Sequence, residues 1–123
     1  MYLLATNALI LALKDHEPDT TLVTKLLKKQ EVNISVLSIA EFLSKASPKE
    51  EKRFEKLLSY SDKIEVDENI CRIAATYRKK YLKTSKALLV DYLIAAQAKA
   101  YNLTLVTNNT KDFPMKDINI IKP

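Results

Sequence analysis

The sequence predicts an α/β protein, a three-layer α/β/α sandwich on a central, mainly parallel sheet of four to five strands. Three observations predict it. Short aliphatic and β-branched runs alternate with segments of helical periodicity, the mark of βαβ units whose helices cover both faces of a parallel sheet. The length of 123 residues suits one domain, and no repeat, low-complexity tract or linker divides it, so residues 1–123 read as a single domain. Apolar residues make up 47% of the chain, enough for a buried core.

Tyr2 to Ala5 reads as a short buried strand, passing into an apolar helix over Ala8 to Lys14 with Thr6 and Asn7 as N-terminal caps. A polar loop follows, from Lys14 to Thr20. Asp19 caps the next helix, where Leu22, Val23, Leu26 and Leu27 form one stripe and Lys25, Lys28 and Lys29 face away. Val32 to Val36 is a β-branched strand, after which Ser38 starts a helix. Ser47, Pro48 and Glu50 give a stronger start signal, in which cap, first-turn proline and reciprocal carboxylate coincide. Phe54, Leu57 and Leu58 supply that helix's inner face. Ile64 to Val66 is a brief strand, and Asp67 caps a helix with Ile70, Ile73, Ala74, Tyr77 and Tyr81 at helical spacing. Asp91 opens a helix ended by Asn102, the residue that best replaces glycine in a left-handed cap. Leu103 to Val106 is a strand, Thr107 to Lys116 a loop, and Ile118 to Ile121 the last strand.

Composition excludes several functions. Glycine is absent, where average usage of ~7% predicts roughly nine residues. Phosphate-cradling loops of the Walker and dinucleotide types are therefore missing. Twenty Lys and Arg against fifteen Asp and Glu leave a net charge of +5, which favours an anionic partner. The lone Cys71 forms no internal disulfide, suits a reducing compartment, and reads as core packing on the apolar side of its helix. Tyr2 to Leu13, the longest apolar stretch, is interrupted by Thr6 and Asn7 and falls short of the ~20 residues of a membrane span. With no basic leader or cleavage site, a cytoplasmic protein is expected. The single histidine, His16, sits in a polar turn and leaves no Ser-His or Cys-His nucleophilic machinery.

In a parallel α/β sheet the ligand crevice lies beyond the carboxyl ends of the strands. Ala5, Thr6 and Asn7 follow the first strand, and Ser38 and Glu41 the second. Asp91 begins the helix leading into the fourth strand, which is followed by Thr107 to Phe113. Glu41, Asp91 and Asp112 should therefore meet in one cleft. Crowded carboxylates resist ionising unless a cation neutralises them, and hard oxygen donors suit Mg²⁺ or Mn²⁺. Each acid also has an ordinary explanation: Glu41 as the end of a capping box, Asp91 as an N-cap, Asp112 as a turn residue. Their common position at one end of one sheet favours chemistry. Arg78, Lys79, Lys80, Lys83 and Lys86 fall within nine residues free of acid, either a solvated helix end or a phosphate-tracking ridge for RNA.

An opening strand followed by Thr6 and Asn7, Ser38 to Glu41 after the second strand, the run Val90 to Ala96, and Leu105 to Phe113 occur together nearly end to end. With these blocks, the last two the more specific, the chain resembles a PIN-domain protein, and in particular the small VapC-type ribonuclease toxins of VapBC toxin–antitoxin modules. The resemblance implies a PIN-like fold and a type II toxin that hydrolyses RNA phosphodiester bonds as an endoribonuclease dependent on Mg²⁺ or Mn²⁺. It implies a metal held by Glu41, Asp91, Asp112 and the acid the family carries at position 5. Thr107 and Asn109 would orient ligands or water there, and Thr6 and Asn7 would hold the first loop. A cognate VapB antitoxin over the cleft and a homodimer are implied as well.

One departure stands out. The family strand ends in Asp-Thr-Asn, and this chain has Ala5, Thr6 and Asn7. A single lost acid beside intact neighbours reads as a deliberate inactivating substitution, with a natural variant of weak catalysis as the alternative. Two other functions stay open: a catalytically silent PIN-like module that binds RNA or protein, and a PIN nuclease in RNA processing. The surviving acids favour an enzyme.

Overall fold

The computed structural model describes residues 1–123 and contains five strands: β1 (Tyr2–Leu4), β2 (Val32–Ser35), β3 (Asp62–Ile64), β4 (Thr104–Val106) and β5 (Ile120–Ile121). They form one sheet in the order β3-β2-β1-β4-β5, with every neighbouring pair parallel. The connections are helical: α1 (Thr6–Leu13), α2 (Asp19–Lys28), α3 (Val36–Leu43), α4 (Pro48–Ser59), α5 (Glu68–Tyr81) and α6 (Leu89–Ala100). A single 3₁₀ turn, Thr110–Asp112, lies between β4 and β5.

Strand alternation divides the core in two. Leu3 and Leu105 point to one face, where Ile70, Ala74 and Tyr77 of α5 and Tyr92, Ile94 and Ala95 of α6 cover them. Leu4, Val32, Ile34 and Val106 point to the other, against Leu9 of α1, Val23 and Leu26 of α2, Phe42 of α3 and Phe54 of α4. This is the three-layer sandwich the sequence predicts. Full burial of one such aliphatic side chain stabilises the fold by about 1.5–3 kcal/mol. The Ser47–Glu50 capping box forms in both directions, at 3.0 and 3.2 Å, and fixes where α4 begins. Without glycine, the left-handed backbone positions fall on Asp15, Gln30 and Asn102 (φ 58°, 56° and 52°). Asn102 ends α6 as predicted.

Several boundaries differ from expectation. α1 starts at Thr6, so Thr6 and Asn7 are helical rather than caps, and the N-cap Ala5 offers no side-chain acceptor. Asp19 is the first residue of α2, not its cap, and it is 2% exposed. α3 starts two residues before Ser38, capped by Ser35, whose hydroxyl accepts from the Leu37 N–H. Asp91 sits one turn inside α6, whose N-cap is Leu88. Cys71 is exposed, not core: it lies one residue past Ile70, outside the Ile70, Ala74 and Tyr77 stripe that faces the sheet.

Candidate active site

All five strands run the same way, so their carboxyl ends share one edge of the sheet. β1 is central, and Ala5 follows it there, its N–H donating to the Val106 carbonyl of β4. On the β2 side stands α3 with Glu41; on the β4 side stands the loop from Thr107 to Asp112. Ala5 packs in the same apolar cluster as Tyr92 of α6, next to Asp91. Position 5 thus follows the strand between β2, which leads to the helix of Glu41, and β4, which leads to the loop of Asp112, and its side chain is a methyl group.

Each acid is held by a different donor. Glu41 Oε1 accepts from the Thr6 hydroxyl at 2.6 Å, and Thr6 Oγ1 lies 2.9 Å from the Ser38 hydroxyl. A threonine has one hydroxyl proton; since Glu41 takes it, Ser38 donates to Thr6. Asp91 Oδ2 accepts from the Leu88 N–H at 2.9 Å. Asp112 Oδ2 accepts from Asn109 Nδ2 at 2.6 Å. The Glu41 capping box is therefore ruled out, because Glu41 reaches across to α1 instead of back along its own helix. For Asp91 the capping function holds in part: it closes the first turn of α6 from inside.

The charges act on one another. Burial pushes the Asp91 carboxyl above the ordinary aspartate value; the Leu88 N–H opposes this, and the charges of Asp112 and Glu41 reinforce it. Asp91 is therefore within electrostatic reach of both Asp112 and Glu41. No three Asp, Glu, His or Cys side chains stand close enough to hold a metal ion together. Glu41, Asp91 and Asp112 offer hard oxygen atoms, the donor type a small divalent cation takes. Ala5 contributes no carboxylate to them.

The loop after β4 is pinned from several sides. Asn7 and Thr107 face each other at 3.4–3.5 Å, and Asn7 Oδ1 accepts from the Asn108 N–H at 3.3 Å. Thr107 is fully buried and its hydroxyl accepts from the Asn109 N–H at 3.0 Å. Two residues here escaped sequence reasoning: Asn108, and Asp19, whose Oδ2 accepts from Asn108 Nδ2 at 2.5 Å. Only the Asp19 position itself could have hinted at this, since the partners are 89 residues apart.

Arg78, Lys79 and Lys80 project from the last turn of α5, and Lys83 and Lys86 from the segment leading to α6; all are exposed. Tyr77 and Tyr92 are buried. Tyr77 instead donates to Asp117 at 2.8 Å, and Lys99 pairs with the same carboxylate at 3.4 Å.

A five-stranded parallel sheet of this order, flanked by six helices, is a PIN-like fold. The PIN domain model matches residues 2–118, and the chain belongs to the PIN-domain family. Within the family it is VapC-like. Ribonuclease VapC2 of Rickettsia felis (strain ATCC VR-1525 / URRWXCal2) is 33% identical over 124 residues, covering 92% of this chain and 90% of that protein. The VapBC2 complex of Rickettsia felis, solved with a DNA fragment from its promoter, superposes at a TM-score of 0.84 with 26% identity, over 99% of this chain and 98% of that one. A toxin–antitoxin complex from Klebsiella pneumoniae superposes at 0.82 with 25% identity, over 98% and 96%.

Proposed function

We propose that this protein is a VapC-like ribonuclease, the toxin of a VapBC-type pair, and that Ala5 disables its hydrolytic centre. The observation that carries this is the PIN domain match over residues 2–118 in a chain 33% identical to a ribonuclease of this kind; the coupling of Asp91 to the charges of Asp112 and Glu41 supports a site shared with position 5. Residues 1–123 act as one PIN-like unit in the cytoplasm, as a homodimer, with a VapB-like antitoxin as partner.

Asp91, Glu41 and Asp112 would hold Mg²⁺ or Mn²⁺ together with an acid at position 5. A divalent cation in that place supplies charge neutralisation and a more acidic water for phosphodiester hydrolysis. The protein's own part is positional. Thr6 fixes the Glu41 carboxylate, with Ser38 behind it; Asn109 orients Asp112; Asn7 and Thr107 lock the loop between them. Arg78, Lys79, Lys80, Lys83 and Lys86 would track the RNA backbone.

One observation favours a second reading, a silent PIN-like module that binds RNA or protein: the acids do not close into a metal-binding group of three. RNA cleavage separates the two. Ala5→Asp should gain endonuclease activity that requires Mg²⁺ or Mn²⁺ and disappears with EDTA. A variant that binds RNA and leaves it intact would favour the silent module.

A further inference from the structure

We infer that Asp19 is a positioning residue for this site, acting through Asn108 on the loop that carries Asp112. The inference rests on the nuclease reading for its kinetic consequence, though not for its structural one.

Asp19 is the first residue of α2, and the residue is 2% exposed. A buried carboxylate is costly unless a donor compensates it. The donor here is the Asn108 side-chain amide at 2.5 Å. Asn108 is the middle of three consecutive residues at the end of β4. Its N–H goes to Asn7 Oδ1, while Thr107 before it and Asn109 after it are joined through the Thr107 hydroxyl. Asn109 in turn donates to Asp112. The Asp112 and Phe113 N–H groups close the 3₁₀ turn on Asn109 and Thr110. Asp19 therefore grips the loop at Asn108, on the β4 side of the turn that carries Asp112. Removing that grip leaves Asn108 held by its backbone alone and lets Asn109 shift. A shift of Asn109 misaims Asp112, and small misplacements of a reacting group are expensive in rate.

The test uses the full chain with Asp19→Ala, Asp19→Asn and Asn108→Ala. Amide hydrogen exchange is read at Asn109, Asp112 and Phe113, with Ala5 and Leu105 as sheet references. Asp19→Ala and Asn108→Ala should each accelerate the three loop amides about tenfold and leave the two references unchanged. Asp19→Asn keeps an acceptor for Asn108 and should stay near the parent. In the Ala5→Asp background, Asp19→Ala should lower kcat about tenfold with KM nearly constant, and combining it with Asn108→Ala should cost no more than either alone. Unchanged loop exchange, or equal acceleration of loop and sheet, would overturn the inference, the latter because it marks ordinary packing. If Ala5→Asp cleaves no RNA, the nuclease reading falls, while the exchange data still decide whether Asp19 sets the loop.

Discussion

The Thr6 hydroxyl donates to Glu41 Oε1 over 2.6 Å, joining the first turn of the helix after β1 to the helix after β2. The bond exists because α1 begins at Thr6, directly beyond the central strand, and α3 begins early enough to bring Glu41 opposite it. Ser38, fully buried, stands behind Thr6 as donor.

Thr6→Val keeps the shape of this side chain and removes its hydroxyl. Glu41 is then released and the Ser38 hydroxyl is left buried without its partner, a loss of about 1–3 kcal/mol. Tm should fall by several degrees. In the Ala5→Asp background, kcat should drop about tenfold with KM for RNA little changed. Thr6→Ser, which keeps the donor, should behave like the parent. Thermal melts and single-turnover cleavage read both effects.

Asp91 gives a pH dependence with a definite sign. Burial raises its folded-state pKa, reinforced by the charges of Asp112 and Glu41. The folded chain thus holds that proton more tightly than the unfolded chain. The cost of ionising Asp91 is absent below the unfolded value of about 3.9, grows through the raised folded value, and is complete above it. Asp91→Asn removes the charge and keeps an acceptor for the Leu88 N–H. The variant should therefore melt a few degrees above the parent at about pH 7, and the gap should close toward about pH 3. Melting curves across that range check it; a gap independent of pH would assign the difference to packing.

The exposed run at the end of α5 makes a separate prediction. If Lys79 and Lys80 contact RNA phosphates, Lys79→Gln with Lys80→Gln should flatten the plot of log affinity against log salt by roughly 1.4, at about 0.7 per lost contact on a single strand. Fluorescence anisotropy over a salt series measures the slope. An unchanged slope would assign the run to a solvated helix end.

The layered architecture was legible because β1, β2, β4 and β5 lie in aliphatic or β-branched runs and the helical crossovers carry periodic stripes; β3 is the exception, pairing through Asp62–Ile64 instead of the expected Ile64 to Val66. The local exceptions have local causes. Ser38 and Glu41 have the spacing of a capping box, yet Ser35 already caps α3 because β2 ends one residue sooner than its β-branched run, which continues through Val36. Asp91 precedes a helical stripe like an N-cap, yet Leu88 and Leu89 let α6 start earlier, and the carboxylate folds back onto the Leu88 N–H. Cys71 adjoins the stripe without belonging to it. The expectation that Glu41, Asp91 and Asp112 share one rim, on which the proposed site rests, came from strand polarity. The grip of Asp19 on Asn108 did not, since nothing in the composition of either segment links residues so far apart along the chain.

Manganese binding tests the convergence of the three carboxylates most directly. Titrated with Mn²⁺ by calorimetry, the chain with Ala5→Asp should bind at least about tenfold more tightly than the chain carrying Ala5, since a carboxylate is restored to the donor set. Adding Asp91→Asn should remove most of that gain. Equal affinity with Ala and Asp at position 5, or a gain that survives Asp91→Asn, would contradict a cation site shared by position 5 and the acids of α3, α6 and the β4 loop.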